Sequence, residues 1–80
     1  MMRTVIRRGD RHYLVSTVRG PGGWETLVFP ASADGSVSKY VEVAGERHHS
    51  ESGAKRGHSR MVKSFEPPAG LSGWNPPWKI

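Results

Sequence analysis

Histidine is the residue type in this 80-residue chain that is best suited to bind a metal ion, and the chain has four of them. His48 and His49 lie near Glu46 in the sequence, and its carboxylate is a further candidate metal ligand. No His-x-x-x-His pair occurs, however, and no spacing matches a known zinc site. The alternative is that these histidines are solvated in a loop. The sequence therefore predicts no metal site and no cofactor.

His58 is the first candidate for acid–base catalysis. With Arg60 or Arg47 as a cationic partner, it offers the groups that a small ribonuclease uses. A histidine on the apolar side of a helix is more often a hydrogen-bonded packing residue, and this is the alternative for His58. We therefore predict no catalytic residue, and a ribonuclease-like enzyme is our third hypothesis for function.

Several other kinds of site are excluded by composition. The chain has no cysteine, which excludes disulfides, thiol nucleophiles and cysteine zinc fingers. The glycine-rich turn over 20–23 lacks the Lys-Ser/Thr and the following helix of a phosphate-binding loop. No apolar run approaches the roughly 20 residues of a membrane span. The sequence predicts neither a small-molecule substrate nor a membrane partner.

Positive charge is the first indication of a partner. Twelve Lys and Arg against seven Asp and Glu give a formal net charge of +5, which favours nucleic acid or an acidic protein surface. The most specific cationic set lies on one side of a predicted helix, where no acidic residue follows Glu51. These predicted partner-binding residues are Lys55, Arg56, Ser59, Arg60 and Lys63. The alternative is a solvated outer surface, since Lys and Arg are good helix formers.

A second cationic cluster lies in the first predicted hairpin. Its members are Arg3, Arg7, Arg8 and Arg11. Two β-rich segments joined by a two-residue turn that begins with glycine predict this hairpin. Its register places Ile6 opposite Tyr13 and Val5 opposite Leu14. Turn signals and alternating apolar residues predict the remaining strands. The predicted strands are 3–8, 11–19, 24–30 and 37–44, and residues 45–49 are predicted as a turn.

Helical periodicity begins after Ser50, a residue type that caps helix N-termini. Apolar side chains then recur at helical spacing at Ala54, Met61, Val62 and Phe65, and His58 lies on the same side of the helix. Gly57 lies among them and lets the helix approach the sheet closely. The helix is predicted over about 51–64, and it ends before Pro67 because a residue that precedes proline disfavours the helical region.

These elements predict an α+β fold. A three- to four-stranded antiparallel β-meander carries one C-terminal amphipathic helix in a single domain over 1–65, followed by an extended Pro/Trp arm over 66–80. The predicted core comprises Val5 or Ile6, Leu14, Val18, Leu27, Phe29, Tyr40 or Val41, Ala54, Met61, Val62 and Phe65. Such a core is thin, so we expect the arm or a partner to bury additional apolar surface.

The arm is rich in proline and glycine, yet it also carries large apolar residues, which disordered linkers usually lack. This composition is typical of an extended, polyproline-like segment that packs on another surface. Its predicted partner-binding residues are Trp74, Pro76, Pro77 and Trp78. The surface that receives them is either the chain's own domain or a neighbouring protein.

The order of these features resembles a group of small uncharacterised proteins of tailed phages that infect actinobacteria. The resemblance spans about 13–65. The segments that carry it are Tyr13-Leu14-Val15-Ser16-Thr17-Val18, Trp24-Glu25-Thr26-Leu27-Val28-Phe29, Asp34-Gly35, Gly45-Glu46-Arg47, Gly57-His58 and Met61-Val62. It implies a phage origin and a compact sheet–helix unit, and it implies no activity.

Charge, arm and resemblance together favour a non-enzymatic phage accessory protein that acts by binding in the host cytoplasm or the virion. One version is a virion or assembly component, and the other is an inhibitor of a host protein. The alternative is a nucleic-acid-binding protein that uses the basic side of the helix. The expected partner is accordingly a phage structural protein, a host protein or a nucleic acid.

Overall fold

The computed structural model of this protein describes residues 1–66. They form β1 (Met2–Arg8), β2 (Arg11–Gly20), β3 (Gly23–Ala31), β4 (Ala44–His48) and α1 (Glu51–Phe65). The strands make one antiparallel sheet in the order β1-β2-β3-β4, so each strand lies beside its neighbour in the sequence. This confirms the predicted α+β meander with a C-terminal helix. Apart from Glu66, the predicted arm lies outside the described residues.

The first hairpin has the predicted register. Ile6 lies opposite Tyr13, and Val5 lies opposite Leu14. Gly9 opens the turn with a φ of 63°, a left-handed conformation that glycine adopts without steric cost. The bounds of the first three strands agree with the sequence prediction to within one or two residues. The reason is that turn residues mark where one strand of a hairpin ends and the next begins.

The fourth strand lies elsewhere than the sequence predicts. The prediction of a strand over 37–44 is wrong, because β4 is Ala44–His48, where the sequence predicts a turn. β4 pairs with Trp24–Val28 in the first half of β3. Pro30 has no backbone N–H and cannot donate a ladder hydrogen bond. The end of β3 is therefore a poor partner for a strand that would begin soon after it in the sequence. The alternating residues before Val43 instead form an irregular connection.

The main core lies between α1 and one side of the sheet. Every second residue of each strand faces the helix, because side chains alternate along a strand. The cluster comprises Ile6, Tyr13, Val15, Val28, Met61 and Phe65. The rings of Tyr13 and Phe65 pack at 5.7 Å between centroids. Val15 and Val28, which the sequence does not predict as core residues, are completely buried.

The other side of the sheet has a smaller cluster. Leu14 and Phe29 are buried there, and the connection between β3 and β4 contacts Phe29 through Tyr40. The ring of Tyr40 contacts Phe29 edge-on at 5.2 Å between centroids. Tyr40 and Val41 are nevertheless 69% and 67% exposed, so their prediction as core residues is wrong. They lie in the irregular connection, whose outer surface nothing covers among the described residues.

Of the other predicted core residues, Ile6 rather than Val5 is buried, and Ala54, Met61 and Phe65 are buried as predicted. Three more residues are only half-buried. These are Val18, Leu27 and Val62.

Gly57 lets α1 lie close to β4. A Cβ atom at this position would collide with the ring of His48 and would lie 2.8 Å from Glu46 Oε1. The His48 side chain is only 10% exposed, so its ring has little room to move away. The close approach predicted for this glycine is therefore confirmed.

We expect Gly57→Ala to lower the free energy of unfolding by about 1 kcal/mol or more, because overpacking outweighs the gain in helix propensity. In an open helix position, the same change would raise stability by about 1 kcal/mol. Urea unfolding followed by circular dichroism measures the difference. Ser59→Ala on the exposed side of α1 is the control, with an expected change within about 0.5 kcal/mol. A Gly57→Ala protein as stable as the parent would contradict the close contact.

Candidate binding surface

Both ends of α1 are capped by adjacent residues. Ser50 Oγ accepts a hydrogen bond from the Gly53 backbone N–H at 3.1 Å, as predicted for an N-cap. The backbone N–H of Glu66 donates to the Val62 carbonyl at 3.1 Å. These caps satisfy backbone groups that a helix end leaves unpaired. They keep α1 helical over the whole segment that carries the basic residues.

The two sides of α1 have different environments. The side against the sheet is buried at Ala54, Gly57, His58, Met61 and Phe65. The opposite side is exposed at Lys55, Arg56, Ser59, Arg60 and Lys63. We call these five residues the basic helix face. They line one shallow groove on the surface, so the structure brings together all the helix residues that the sequence predicts for partner binding. Their role in binding stays a prediction.

The basic helix face is partly neutralised within the protein. Lys55 Nζ lies 3.5 Å from Glu51 Oε1, one helical turn earlier. Arg60 donates to Glu46 Oε1, which reaches it from β4. Within residues 1–66, no carboxylate lies within 4.0 Å of Arg56 or Lys63. On the basic helix face, these two side chains are therefore the cations without a carboxylate neighbour in this part of the chain.

Glu46 is the residue of this surface that sequence reasoning missed. The helix sequence shows no acidic residue after Glu51, but a strand residue supplies one from the side. The signal was present, since Glu46 and His48 alternate at the period of a strand, which places both on the same side of the sheet. Assigning these residues to a turn concealed it.

His48 lies beneath α1 and is not open to a substrate. Its Nε2 is 3.2 Å from Glu46 Oε1, but the pair does not have hydrogen-bond geometry. Nε2 is buried and has no hydrogen-bond partner among the described residues. The ring is packed against Gly57. In this position His48 supports the contact between β4 and the helix.

His58 lies on the buried side of α1, in a network of hydroxyl groups. Its Nδ1 is hydrogen-bonded to Thr17 Oγ1 at 2.7 Å, and its Nε2 to Thr4 Oγ1 at 2.8 Å. Thr17 Oγ1 is in turn hydrogen-bonded to Thr26 Oγ1 at 2.7 Å. Both ring nitrogens of this buried side chain therefore have partners, as expected for a packing histidine.

The groups proposed for a ribonuclease do not meet. His58 points toward the sheet, whereas Arg60 lies on the exposed side of the same helix. Arg47 alternates with Glu46 and His48 along β4 and so faces away from α1, where its Nε lies 3.4 Å from Glu25 Oε2. The three side chains thus lie in three different places, and this part of the structure does not assemble the acid–base set.

The arginines of the first hairpin do not extend the basic helix face. Arg3 and Arg7 alternate with Thr4 and Ile6, which face α1, and so they lie on the other side of the sheet. Arg8 and Arg11 lie opposite each other at the turn. The two cationic clusters of the sequence therefore form separate surfaces.

Two further features of the described residues bear on the kind of site. No group of three or more His, Asp or Glu side chains within residues 1–66 is placed to hold a metal ion. No helix in this range has the length and hydropathy needed to span a membrane. The predicted arm residues Trp74, Pro76, Pro77 and Trp78 lie outside the described residues.

Comparison with known proteins does not assign the chain to a family. No protein-family model, curated protein or solved structure matches it significantly. The positions and charges of its own residues are therefore the basis for proposing a function.

We expect His58 to make stability depend on pH. Burial lowers the pKa of its imidazole below the ordinary value of about 6.5, because the charged ring is poorly solvated next to β1 and β2. The unfolded chain then binds the proton more tightly than the folded protein. The contribution of His58 to the free energy of unfolding is therefore fully present above about pH 6.5. It decreases as the pH drops toward the lowered pKa.

Urea unfolding at about pH 7.5 and about pH 5.5 measures this dependence across the range in which histidine titrates. His58→Gln keeps a polar side chain but cannot titrate, so it should lose less stability on acidification than the parent. His49→Gln removes an exposed histidine and should retain the parental pH dependence. Equal acid sensitivity in the parent and His58→Gln would show that His58 is not the responsible group.

Proposed function

We propose that this protein acts by binding, and that its basic helix face docks on an acidic surface of a protein partner. The observation that carries this proposal is the exposure of one side of α1, with all five residues of the basic helix face around one shallow groove. The opposite side of the helix is buried in the core, so α1 presents this surface in one fixed orientation.

The spacing of the two unneutralised cations supports a protein partner. Arg56 and Lys63 are seven residues apart, which places them on the same side of α1 and about 10 Å apart along its axis. Acidic side chains two turns apart on a partner helix would match this spacing. The Arg56 guanidinium can hold a carboxylate through two parallel hydrogen bonds. Ser59 lies between the two cations and supplies a hydroxyl group.

The distribution of the remaining charge favours a protein over a nucleic acid. Tight binding of nucleic acid depends on neutralising several phosphates at once. Lys55 and Arg60 already have carboxylate partners, and Arg3 and Arg7 lie on the other side of the sheet. A continuous cationic path across these clusters is therefore absent from the surface of residues 1–66. The net charge of +5 keeps nucleic acid as the alternative partner.

The resemblance to small phage proteins gives this proposal its biological setting. The protein would be an accessory protein of a phage, in the host cytoplasm or the virion. Its acidic partner would then be a component of the virion or its assembly, or a host protein that the phage inhibits.

Charge reversal on α1 tests the proposal. We expect the double substitution Arg56→Glu and Lys63→Glu to weaken binding of a labelled poly-glutamate peptide at low salt about tenfold, since two favourable charge contacts become repulsive. Arg3→Glu with Arg7→Glu is the matched control, because it changes the net charge equally on the other side of the sheet. Fluorescence anisotropy measures the affinities, and thermal unfolding verifies that both variants fold.

The same measurement with single- and double-stranded oligonucleotides distinguishes the two partner classes. Binding to DNA or RNA through about four or more phosphates would make the affinity fall steeply with salt concentration. Such a result would establish the alternative function instead. Equal loss of peptide binding in the helix variant and its control would contradict a role for the basic helix face.

A further inference from the structure

A second groove begins where α1 ends. The last helical residue, Phe65, packs its ring on Tyr13, and Tyr13 also lines this groove. Pro30, Ala31 and Val43 form the rest of its apolar lining. Asp10 of the first hairpin turn and the first two residues of β2, Arg11 and His12, supply its polar rim. The groove has a volume of about 440 Å³. It shares no residue with the basic helix face.

The chain leaves α1 beside this groove in an extended conformation. Glu66 has φ −78° and ψ 136°, which is outside the helical region. Pro67 follows it, and a residue before proline is held in the extended region by steric contact with the proline ring. The chain beyond the helix therefore starts next to Tyr13.

The sequence of residues 67–80 suits such a groove. The segment contains four prolines, two tryptophans, a leucine and an isoleucine. Proline-rich segments bind in apolar grooves at a low cost in conformational entropy, since the polyproline conformation is already formed before binding. Fourteen residues in that conformation span about 43 Å, so reach does not limit contact with a groove adjacent to Phe65. Gly70 and Gly73 separate the two proline pairs and permit the chain to reverse its direction.

We propose that residues 67–80 dock in this groove of their own chain, with the segment Trp74–Trp78 on the accessible apolar lining formed by Pro30, Ala31 and Val43. The occupant is a segment of the same chain because its starting point adjoins the groove. The described core also needs such burial, since only nine apolar side chains are buried in it. This inference does not depend on the partner proposed for the basic helix face.

Quenching of bimane by tryptophan on contact tests this docking in the full-length chain. The chain has no cysteine, so Asp10→Cys can be labelled at one site on the rim of the groove. Ser59→Cys, on the basic helix face, is the matched exposed control. We expect bimane at position 10 to become brighter when Trp74 and Trp78 are both changed to Phe. Bimane at position 59 should be unaffected.

Three outcomes would overturn the proposal. The first is equal brightness at position 10 with and without the two tryptophans. The second is equal brightening at positions 10 and 59, which would mean that the segment has no preference for the groove. The third is quenching that increases with protein concentration, which would assign the groove to the segment of a second copy.

A second measurement blocks the groove instead of labelling it. In a Trp24→Phe background, tryptophan emission comes only from Trp74 and Trp78. Pro30→Arg places a charged side chain in the groove, whereas Val41→Arg places the same group on an exposed part of the connection between β3 and β4. We expect Pro30→Arg alone to shift the emission to longer wavelength and to lower the thermal midpoint by about 5 °C. Unchanged emission in Pro30→Arg would contradict docking at this site.

Discussion

The placement of α1 on the sheet is the constraint on which the other features depend. Two adjacent residues set it. Gly57 leaves no side chain between the helix and β4, and His58 forms hydrogen bonds to threonines of β1 and β2. Because successive residues of a helix are about 100° apart, these contacts hold α1 from two directions and oppose its rotation about its axis. The basic helix face points to solvent as a direct consequence.

The buried hydroxyl network gives this small core specificity as well as cohesion. Thr17 and Thr26 are completely buried side by side, and each would be costly in an apolar core without a partner. The His58 ring completes the set from the helix side. A helix shifted along the sheet would leave these polar groups unpaired, whereas the apolar contacts of Met61 or Phe65 tolerate small shifts more readily. The network therefore selects one register for the helix.

The electrostatic character of the basic helix face is decided by β4 as much as by α1. Glu46 approaches from the edge strand and pairs with Arg60, and Glu51 pairs with Lys55. Within residues 1–66, this leaves the face with a pair of cations two turns apart that have no carboxylate neighbour, surrounded by groups of mixed charge. Surfaces of this kind give selectivity through matched charges, and they attract a uniform polyanion less strongly than an uninterrupted cationic surface would.

Much of this arrangement could be predicted from local patterns. The first two hairpins follow from their glycine turns, and the two sides of α1 follow from helical spacing after Ser50, because these signals act between residues close in sequence. The position of β4, the exposure of Tyr40 and Val41 and the pairing of Glu46 could not be predicted in this way. Alternation over 37–43 suits either a strand or an extended connection, and only hydrogen bonding to a distant strand decides between them. The sequence by itself determined the helix and its basic side. The tertiary structure decided which carboxylate neutralises that side, because strand pairing brings together residues that are distant in the chain.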